Sequence, residues 1–285
     1  MSEPVIRQPG LKGAGVAGRS DLPTRFAVGV LLIAIAVIET FLGGWPFRIL
    51  VAAAAAVMMF EWAEMHRAPR RWAYFAMAVL VIALLAGAEY LYPADQWEEE
   101  VDAATFAPNW LAFAGLAVLS LVVGLISRRL ALIGGFLYIA IPSFALLSLS
   151  WVWVALVFWV FMVTWATDIF AYFAGRSIGG PKLAPRVSPN KTWAGLAGGV
   201  LGAGAFGALV AWAFDLEPLF YWLGFPMGAV AQAGDLFESW VKRRCEVKDS
   251  GRLLPGHGGV LDRLDGLLAV ALVTTLLLMA GFWTA

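Results

Sequence analysis

Nine apolar stretches, each long enough to cross a lipid bilayer, constrain this sequence more than any other feature. The hydrocarbon core of a bilayer is about 30 Å thick, and an α-helix of roughly 20 apolar residues spans it. The stretches cover residues 26–43, 49–65, 72–92, 108–127, 130–149, 151–174, 194–214, 218–238 and 266–284. They lack the alternation of polar and apolar residues that transmembrane strands require. The sequence therefore predicts an all-α, polytopic membrane protein with about nine transmembrane helices.

The composition excludes several other classes of protein. Hydrophobic residues make up 61% of the chain and charged residues 14%, whereas soluble domains carry about 25% charged residues. The 20 basic and 20 acidic residues cancel, so no net charge favours a nucleic-acid partner. A single cysteine, Cys245, excludes an internal disulfide and a thiolate metal cluster. The pattern GxxxxGK[ST] of P-loop ATPases is absent.

The basic residues predict the orientation of the chain. With nine spans and a cytoplasmic N-terminus, 19 of the 20 basic residues fall on the cytoplasmic side, and Arg48 alone falls outside. Cytoplasmic loops of membrane proteins carry such an excess of Lys and Arg. We therefore expect the N-terminus inside and the C-terminus outside. The acidic stretch 95–102 is then expected to be a solvated outside loop without chemistry.

The sequence divides into three regions. Residues 1–25 are polar and glycine-containing, and we expect them to form a disordered extension. Residues 26–164 form an N-terminal transmembrane region with short cytoplasmic connections. Residues 165–285 contain two longer cytoplasmic loops, 175–193 and 239–265, in which Gly, Pro, Lys, Arg and Asp occur together. The functional site is therefore predicted in this C-terminal region.

The first of these loops follows an acid placed at membrane level. Asp168, Tyr172 and Gly175 are spaced to share one face of the preceding helix, and a carboxylate near hydrocarbon is costly. The loop itself, which Pro185 and Pro189 stiffen, carries the donors Lys182, Arg186, Ser188 and Lys191. Such a loop suits a polyanion such as a triphosphate. Two plainer interpretations stay open, namely an ion pair of Asp168 with a basic neighbour and a basic loop that rests on anionic lipid.

The second loop combines acids, cations and glycines. One helical face at its start carries Asp235, Glu238, Ser239 and Lys242. At its end, Asp262 and Asp265 can share a face at the beginning of the last helix. Carboxylates suit Mg²⁺, which prefers oxygen ligands and bridges substrate phosphates, and glycines let backbone N–H groups approach phosphate oxygens. His257, taken alone, fits an ordinary loop histidine better than a catalyst.

At these positions the sequence resembles the phosphatidate cytidylyltransferases, also called CDP-diacylglycerol synthases. The constrained positions of their signature are all met here, by Ser239, Lys242, Arg243, Lys248, Asp249, Gly251, Leu254, Pro255, His257, Gly258, Gly259, Val260, Asp262, Arg263, Leu264 and Asp265. Residues 168–175 and 182–193 also look like bacterial members. The close resemblance covers about residues 165–266.

The resemblance implies a reaction in phospholipid biosynthesis, in which CTP and phosphatidic acid give CDP-diacylglycerol and pyrophosphate. It implies Mg²⁺, paired with K⁺, as the cofactor. CTP, phosphatidic acid and the lipid bilayer are the implied partners, with a homodimer as a further expectation. The implied location is the cell inner membrane, with the active site on the cytoplasmic side.

The resemblance also implies roles for single residues. The expected catalytic residues are Asp235, Ser239, Lys242, Asp262 and Asp265. Among them Asp235, Asp262 and Asp265 are the expected metal ligands. The expected substrate-binding residues are Asp168, Lys182, Arg186, Ser188, Lys191, Arg243, Lys248, Asp249, His257, Gly258, Gly259 and Arg263. Cationic side chains would offset the repulsion between two polyanions, and the lipid phosphate needs no activated serine because its second pKa is about 6.

Three other functions share some of these features. A CTP-dependent lipid-alcohol kinase would use the same nucleotide but release CDP. A transporter for an anionic solute would move its substrate without releasing pyrophosphate, although no internal repeat indicates an inverted-repeat transporter. A CDP-alcohol phosphotransferase needs Asp-Gly-x-x-Ala-Arg, and here Val270 follows Ala269, with no acidic residue after it.

Overall fold

The structure, a computed structural model, describes residues 21–94, 104–251, 253 and 258–282. Almost all of this part is helical, which confirms the all-α prediction. Its nine α-helices are α1 (Asp21–Leu42), α2 (Gly44–Met65), α3 (Arg70–Leu91), α4 (Pro108–Ser127), α5 (Leu130–Val152), α6 (Val154–Ser177), α7 (Trp193–Ala213), α8 (Phe220–Arg244) and α9 (Leu261–Leu277). A 3₁₀ turn, Ala104–Phe106, precedes α4, and a π turn, Leu278–Phe282, follows α9. Each predicted span overlaps mainly one of these helices.

Within the part of the chain that the structure describes, seven helical segments are long and apolar enough to cross a membrane. They are Gly44–Met65, Arg70–Leu91, Ala104–Ser127, Leu130–Val152, Val154–Ser177, Trp193–Ala213 and Leu261–Phe282. Helix α1 contributes a shorter apolar segment, Gly29–Leu42. Helix α8 is less apolar because its span contains Pro226, Gln232 and Asp235. The chain is therefore a multi-pass membrane protein.

Several helix ends differ from the predicted spans. Helix α1 begins at Asp21, inside the segment 1–25 that was expected to be disordered. Helix α8 continues to Arg244 and α9 begins at Leu261, so both extend past their apolar residues. Residues 1–20 and the acidic stretch 95–102, predicted as an outside loop, are not among the residues that the structure describes.

A small hairpin interrupts the helices between α6 and α7, and sequence analysis did not predict it. Strand β1 (Lys182–Ala184) pairs antiparallel with β2 (Ser188–Thr192). The strands are short and polar, so they lack the alternating apolar residues by which strands are recognised in a sequence. At the end of β2, the Thr192 hydroxyl accepts a hydrogen bond of 3.0 Å from the Gly195 N–H. This bond caps α7, because it satisfies one of the N–H groups that have no partner within the helix.

Helix α7 packs against α6 and α8 with little space between the backbones. A Cβ atom at Gly202 would lie 2.5 Å from the Phe170 ring of α6. A Cβ atom at Gly224 of α8 would lie 2.5 Å from the Ala203 carbonyl oxygen of α7. Small residues allow this close approach in membrane helices. Helices α6, α7 and α8 therefore form a tightly packed unit, and α9 lies between α8 and α5.

A buried ion pair joins α2 to α3 at the opposite end from the hairpin. The guanidinium of Arg48 donates hydrogen bonds to the Glu89 carboxylate and to the Tyr92 carbonyl oxygen. The Arg48 side chain is 5% exposed and that of Glu89 is 40% exposed. Burying Arg48 is tolerable because an anion and a carbonyl group replace its water. Arg48 is also the one basic residue that the charge count placed outside.

Candidate active site

A cavity of about 490 Å³ lies among α6, β2, α7 and α8. Its lining residues are Asp168, Ala171, Tyr172, Gly175, Arg176, Asn190, Lys191, Thr192, Gly195, Leu196, Gln232 and Asp235. The predicted common face of Asp168, Tyr172 and Gly175 is confirmed, since all three line this cavity. Acidic and basic side chains meet there, so the cavity can bind a ligand that carries both phosphate and metal.

The two loops that the sequence singled out meet at Lys191. Its Nζ lies 2.6 Å from Oδ2 of Asp235 and donates a hydrogen bond of 2.9 Å to the Gln232 side chain. The other carboxylate oxygen of Asp235 accepts a hydrogen bond of 3.2 Å from the Ser239 hydroxyl. Asp235 is therefore held at the edge of the cavity by a cation from the hairpin and a hydroxyl from its own helix.

Three carboxylates form a group that could hold a metal ion. The side chains of Asp235 and Glu238, from α8, and Asp265, from α9, bring carboxylate oxygens within 4.8 Å of one another. The two helices approach closely at Gly234, where an added Cβ atom would lie only 2.7 Å from the Asp265 carbonyl oxygen. Glycine at this position allows the approach. Glu238 is fully buried, and its Oε1 has no hydrogen-bond partner among the described residues. A hard cation such as Mg²⁺ would satisfy that oxygen.

Lys242 connects this acidic group to Asp262. Its Nζ lies 2.6 Å from a carboxylate oxygen of Glu238 and 2.6 Å from one of Asp262. Burial lowers the pKa of Lys242, but the two carboxylates outweigh burial and hold the pKa above its usual value. The lysine is therefore charged, and it neutralises part of the negative charge that α8 and α9 bring together.

Asp262 binds backbone groups of the loop as well as Lys242. It accepts hydrogen bonds of 2.9 Å from the Ser250 N–H and 2.8 Å from the Gly259 N–H. Both carboxylate oxygens of Asp262 therefore accept hydrogen bonds. Asp262 does not belong to the three-carboxylate group, whose third member is Glu238. Its expected role as a metal ligand stays a prediction, whereas the structure shows it holding the ends of the loop.

Glu61 of α2 is a site residue that sequence reasoning missed. Its carboxylate accepts hydrogen bonds of 2.9 Å from each of the N–H groups of Val260 and Leu261, and one of 3.3 Å from the Ser250 hydroxyl. Glu61 is 3% exposed. The available signal was an acidic residue within an apolar span, which is costly unless the residue has partners.

The other predicted substrate-binding residues lie around these groups at more exposed positions. Lys182 and Arg186 are exposed on the hairpin and do not line the cavity, and Ser188 is half-buried beside them. Arg243 donates a hydrogen bond of 3.3 Å to the Val187 carbonyl oxygen, so it ties α8 to the hairpin. Three further predicted residues are exposed, namely Lys248, Asp249 and Arg263, and Gly258 is half-buried. His257 lies outside the described residues.

Comparison with known proteins identifies the family. The sequence model of the cytidylyltransferase family matches residues 23–280. The chain belongs to this family. The match extends well beyond residues 165–266, to which the signature and its neighbouring segments are confined, and takes in the helices of the N-terminal half. Membership therefore describes nearly the whole chain and makes it a nucleotidyltransferase.

Curated relatives resemble the chain over most of its length. A protein of Brucella abortus (strain 9-941) named phosphatidate cytidylyltransferase is 39% identical over 267 residues, which cover 88% of this chain and 91% of the relative. A Pseudomonas aeruginosa protein of the same name is 34% identical over 275 residues, which cover 93% of this chain and 99% of the relative. A Rickettsia bellii protein, also of that name, matches 51% of this chain at 39% identity.

Proposed function

We propose that this protein is a phosphatidate cytidylyltransferase, which transfers CMP from CTP to phosphatidic acid and releases pyrophosphate. The observation that carries the proposal is that two signature residues, Lys242 and Asp265, lie together with Asp235, which lines the cavity. Two facing helices supply these residues. Asp235, at the edge of the cavity, and Lys242 lie on α8, and Asp265 lies beside Asp235 on α9. The curated relatives that match the chain over most of their own length bear the same name.

The side chains at the cavity suit the binding of a triphosphate. Lys191 and Arg176 line it and supply cationic donors, and Lys242 lies behind the carboxylates that border it. Two polyanions must approach before a bond can form, so positive charge held in fixed positions lowers the barrier. The lipid phosphate is the nucleophile, and with a second pKa of about 6 it is largely ionised at neutral pH. No side chain has to form a covalent intermediate.

The three-carboxylate group fits Mg²⁺. Asp235, Glu238 and Asp265 would hold the ion, and the unpaired buried oxygen of Glu238 is the feature that such a ligand would satisfy. A bound Mg²⁺ would supply neutralisation of phosphate charge. Asp262 as a further ligand and K⁺ as a second ion stay predictions, as does the homodimer.

In the proposed arrangement, α1 and α8 cross the membrane in addition to the seven apolar helical segments, which gives nine spans. In this arrangement the N-terminus is cytoplasmic and the C-terminus is outside, so the hairpin and the loop 245–260 face the cytoplasm, where CTP is found. The basic residues support it, since 19 of 20 then lie inside. The enzyme would act at the cytoplasmic side of the cell inner membrane. Reporter fusions at residue 285 and within 175–193 should report opposite sides; equal signals would contradict this arrangement.

The reaction is tested with purified protein, CTP labelled at the α-phosphate and phosphatidic acid, with and without Mg²⁺. We expect Mg²⁺-dependent formation of labelled CDP-diacylglycerol with one pyrophosphate released per lipid. Release of CDP with phosphorylation of a lipid alcohol would instead identify a kinase. Solute flux through proteoliposomes without pyrophosphate release would identify a transporter. Either result would overturn the proposed function.

A further inference from the structure

Glu61 occupies a position that ordinarily belongs to a helix-capping residue of α9. The first N–H groups of a helix have no partner within it, and a Ser, Thr, Asp or Asn at the N-cap usually accepts from them. The N-cap of α9 is Val260, which makes no side-chain capping bond. The carboxylate of Glu61, from α2, accepts the Val260 and Leu261 N–H groups instead. A residue about 200 positions upstream therefore caps α9.

The loop before α9 is shaped around this carboxylate. A Cβ atom at Gly251 would lie 2.5 Å from Oε1 of Glu61, and one at Gly259 would lie 2.7 Å from Oε2. Real Cβ atoms do not approach other atoms so closely, so glycine at both positions lets the backbone close around Glu61. The Ser250 hydroxyl completes the enclosure with its bond to Oε2.

Glu61 and Asp262 hold the same short segment from two sides. The Ser250 hydroxyl donates to Glu61 while the Ser250 N–H donates to Asp262. Asp262 in turn binds Lys242, which binds Glu238. The start of α9 carries Asp262 and Asp265. Its position therefore depends on the carboxylate of Glu61, in the N-terminal half.

We infer that Glu61 is a positioning residue for the active site: by capping α9 from α2, it fixes the first turn of α9 and with it Asp262 and Asp265. The inference rests on the proposed function only for its kinetic test. Glu61 does not line the cavity among α6, β2, α7 and α8; it borders a second cavity of about 480 Å³, together with Glu64 and Gly251. It therefore makes no contact with a ligand in the first cavity and acts on that site through other residues.

The test compares Glu61→Gln with Glu64→Gln in full-length protein in lipid nanodiscs. Glutamine keeps the size of Glu61 but replaces one acceptor oxygen with an NH₂ group that cannot accept from an N–H. Glu64 is the matched control, since it lies nearly one turn away on α2 and is exposed. We expect kcat of Glu61→Gln to fall about 10- to 100-fold, as for misplaced catalytic groups, with KM for CTP changed less than about threefold. Glu61→Asp should give an intermediate kcat, and Glu64→Gln should match the wild type.

Amide hydrogen exchange supplies a measurement that does not depend on activity. Peptides containing residues 258–262 should exchange about tenfold faster in Glu61→Gln than in the wild type, because the helix cap is lost. Peptides from α5 should be unchanged. Wild-type kcat and wild-type exchange in Glu61→Gln would overturn the inference, and so would faster exchange throughout the protein, which would mean that Glu61 stabilises the whole fold.

A second variant covers the case in which Glu61→Gln does not fold. Gly251→Ala keeps Glu61 but pushes a methyl group against its carboxylate, so it should show the same loss of kcat and the same local exchange. Unchanged kcat in Gly251→Ala would then overturn the inference. If the wild type makes no CDP-diacylglycerol, the proposed function fails, while the exchange comparison still decides the role of Glu61.

Discussion

Two ionic groups within the described residues lie at opposite ends of the bundle and differ in their balance of charge. Arg48 faces one carboxylate, that of Glu89, and a carbonyl oxygen, so its charge is matched. At the other end, Lys191 pairs with Asp235, and Lys242 pairs with Glu238 and Asp262, while Asp265 adds a further carboxylate beside Asp235 and Glu238. The first group does not line that cavity, whereas the second borders it.

This difference in charge balance distinguishes an ion pair that stabilises the fold from a group that can bind a ligand. A buried charge with a matched partner needs nothing further, and its pairing adds little beyond holding two helices together. A group with an excess of carboxylates and an unpaired buried oxygen in Glu238 is stabilised when a cation binds. Substitutions in the acid-rich group should therefore change catalysis, and substitutions in the matched pair should change stability alone.

The largest effect is expected from Asp235→Ala. This change removes a carboxylate that belongs to the three-acid group and also holds Lys191. We expect CDP-diacylglycerol formation to fall at least about 10³-fold, as when a main electrostatic contributor is lost. Initial rates at saturating CTP and Mg²⁺ provide the measurement, with size-exclusion profiles as the folding control. Turnover within tenfold of the wild type would exclude Asp235 from the metal group.

Lys242→Met should affect both activity and stability. It leaves Glu238 and Asp262 without their shared cation, and breaking a buried pair in this way costs about 3–5 kcal/mol. We expect kcat to fall about 10²-fold and the apparent free energy of unfolding to fall in detergent titrations. Adding Glu238→Gln should recover part of the stability, because an unpaired charge is removed, but no activity. Recovery of activity in the double variant would show that Lys242 serves only to neutralise Glu238.

Arg48→Met should have the smallest effect and leave catalysis intact. Glu89 is partly exposed and can be rehydrated, so the expected cost is about 1–3 kcal/mol, that of a lost hydrogen bond to a charged group. Thermal unfolding in the same detergent checks this, and kcat of the folded fraction should equal that of the wild type. A loss of kcat in Arg48→Met would break the distinction between the two groups.

The helices were predictable because a backbone inside a bilayer must satisfy its own hydrogen bonds, which leaves long apolar helices as the available solution. The shared faces of Asp168 with Tyr172 and of Asp235 with Lys242 were predictable for the same reason, since helical spacing fixes them. The hairpin gave no such signal, because its strands are short and polar.

The composition of the acidic group was predicted only in part. Asp235 and Asp265 belong to it as expected, but Glu238 and the capping residue Glu61 were not assigned these roles. Both depend on contacts between different helices: Glu61 of α2 reaches Leu261 of α9, and Glu238 of α8 reaches Asp265 of α9. Spacing within one segment carries no information about such contacts. Acidic residues inside apolar spans were the available clue.

The glycine contacts between α7 and its neighbours determine how these helices can respond to a disturbance. Where side chains separate two helices, a small shift is absorbed when one of them changes rotamer. At Gly224 the Ala203 carbonyl oxygen would meet an added methyl group directly, so no such adjustment is available there. The helix must then move as a rigid rod. The distance between α7 and α8 at this point is thus set by main chain against main chain, and neither helix can take a larger residue there without moving.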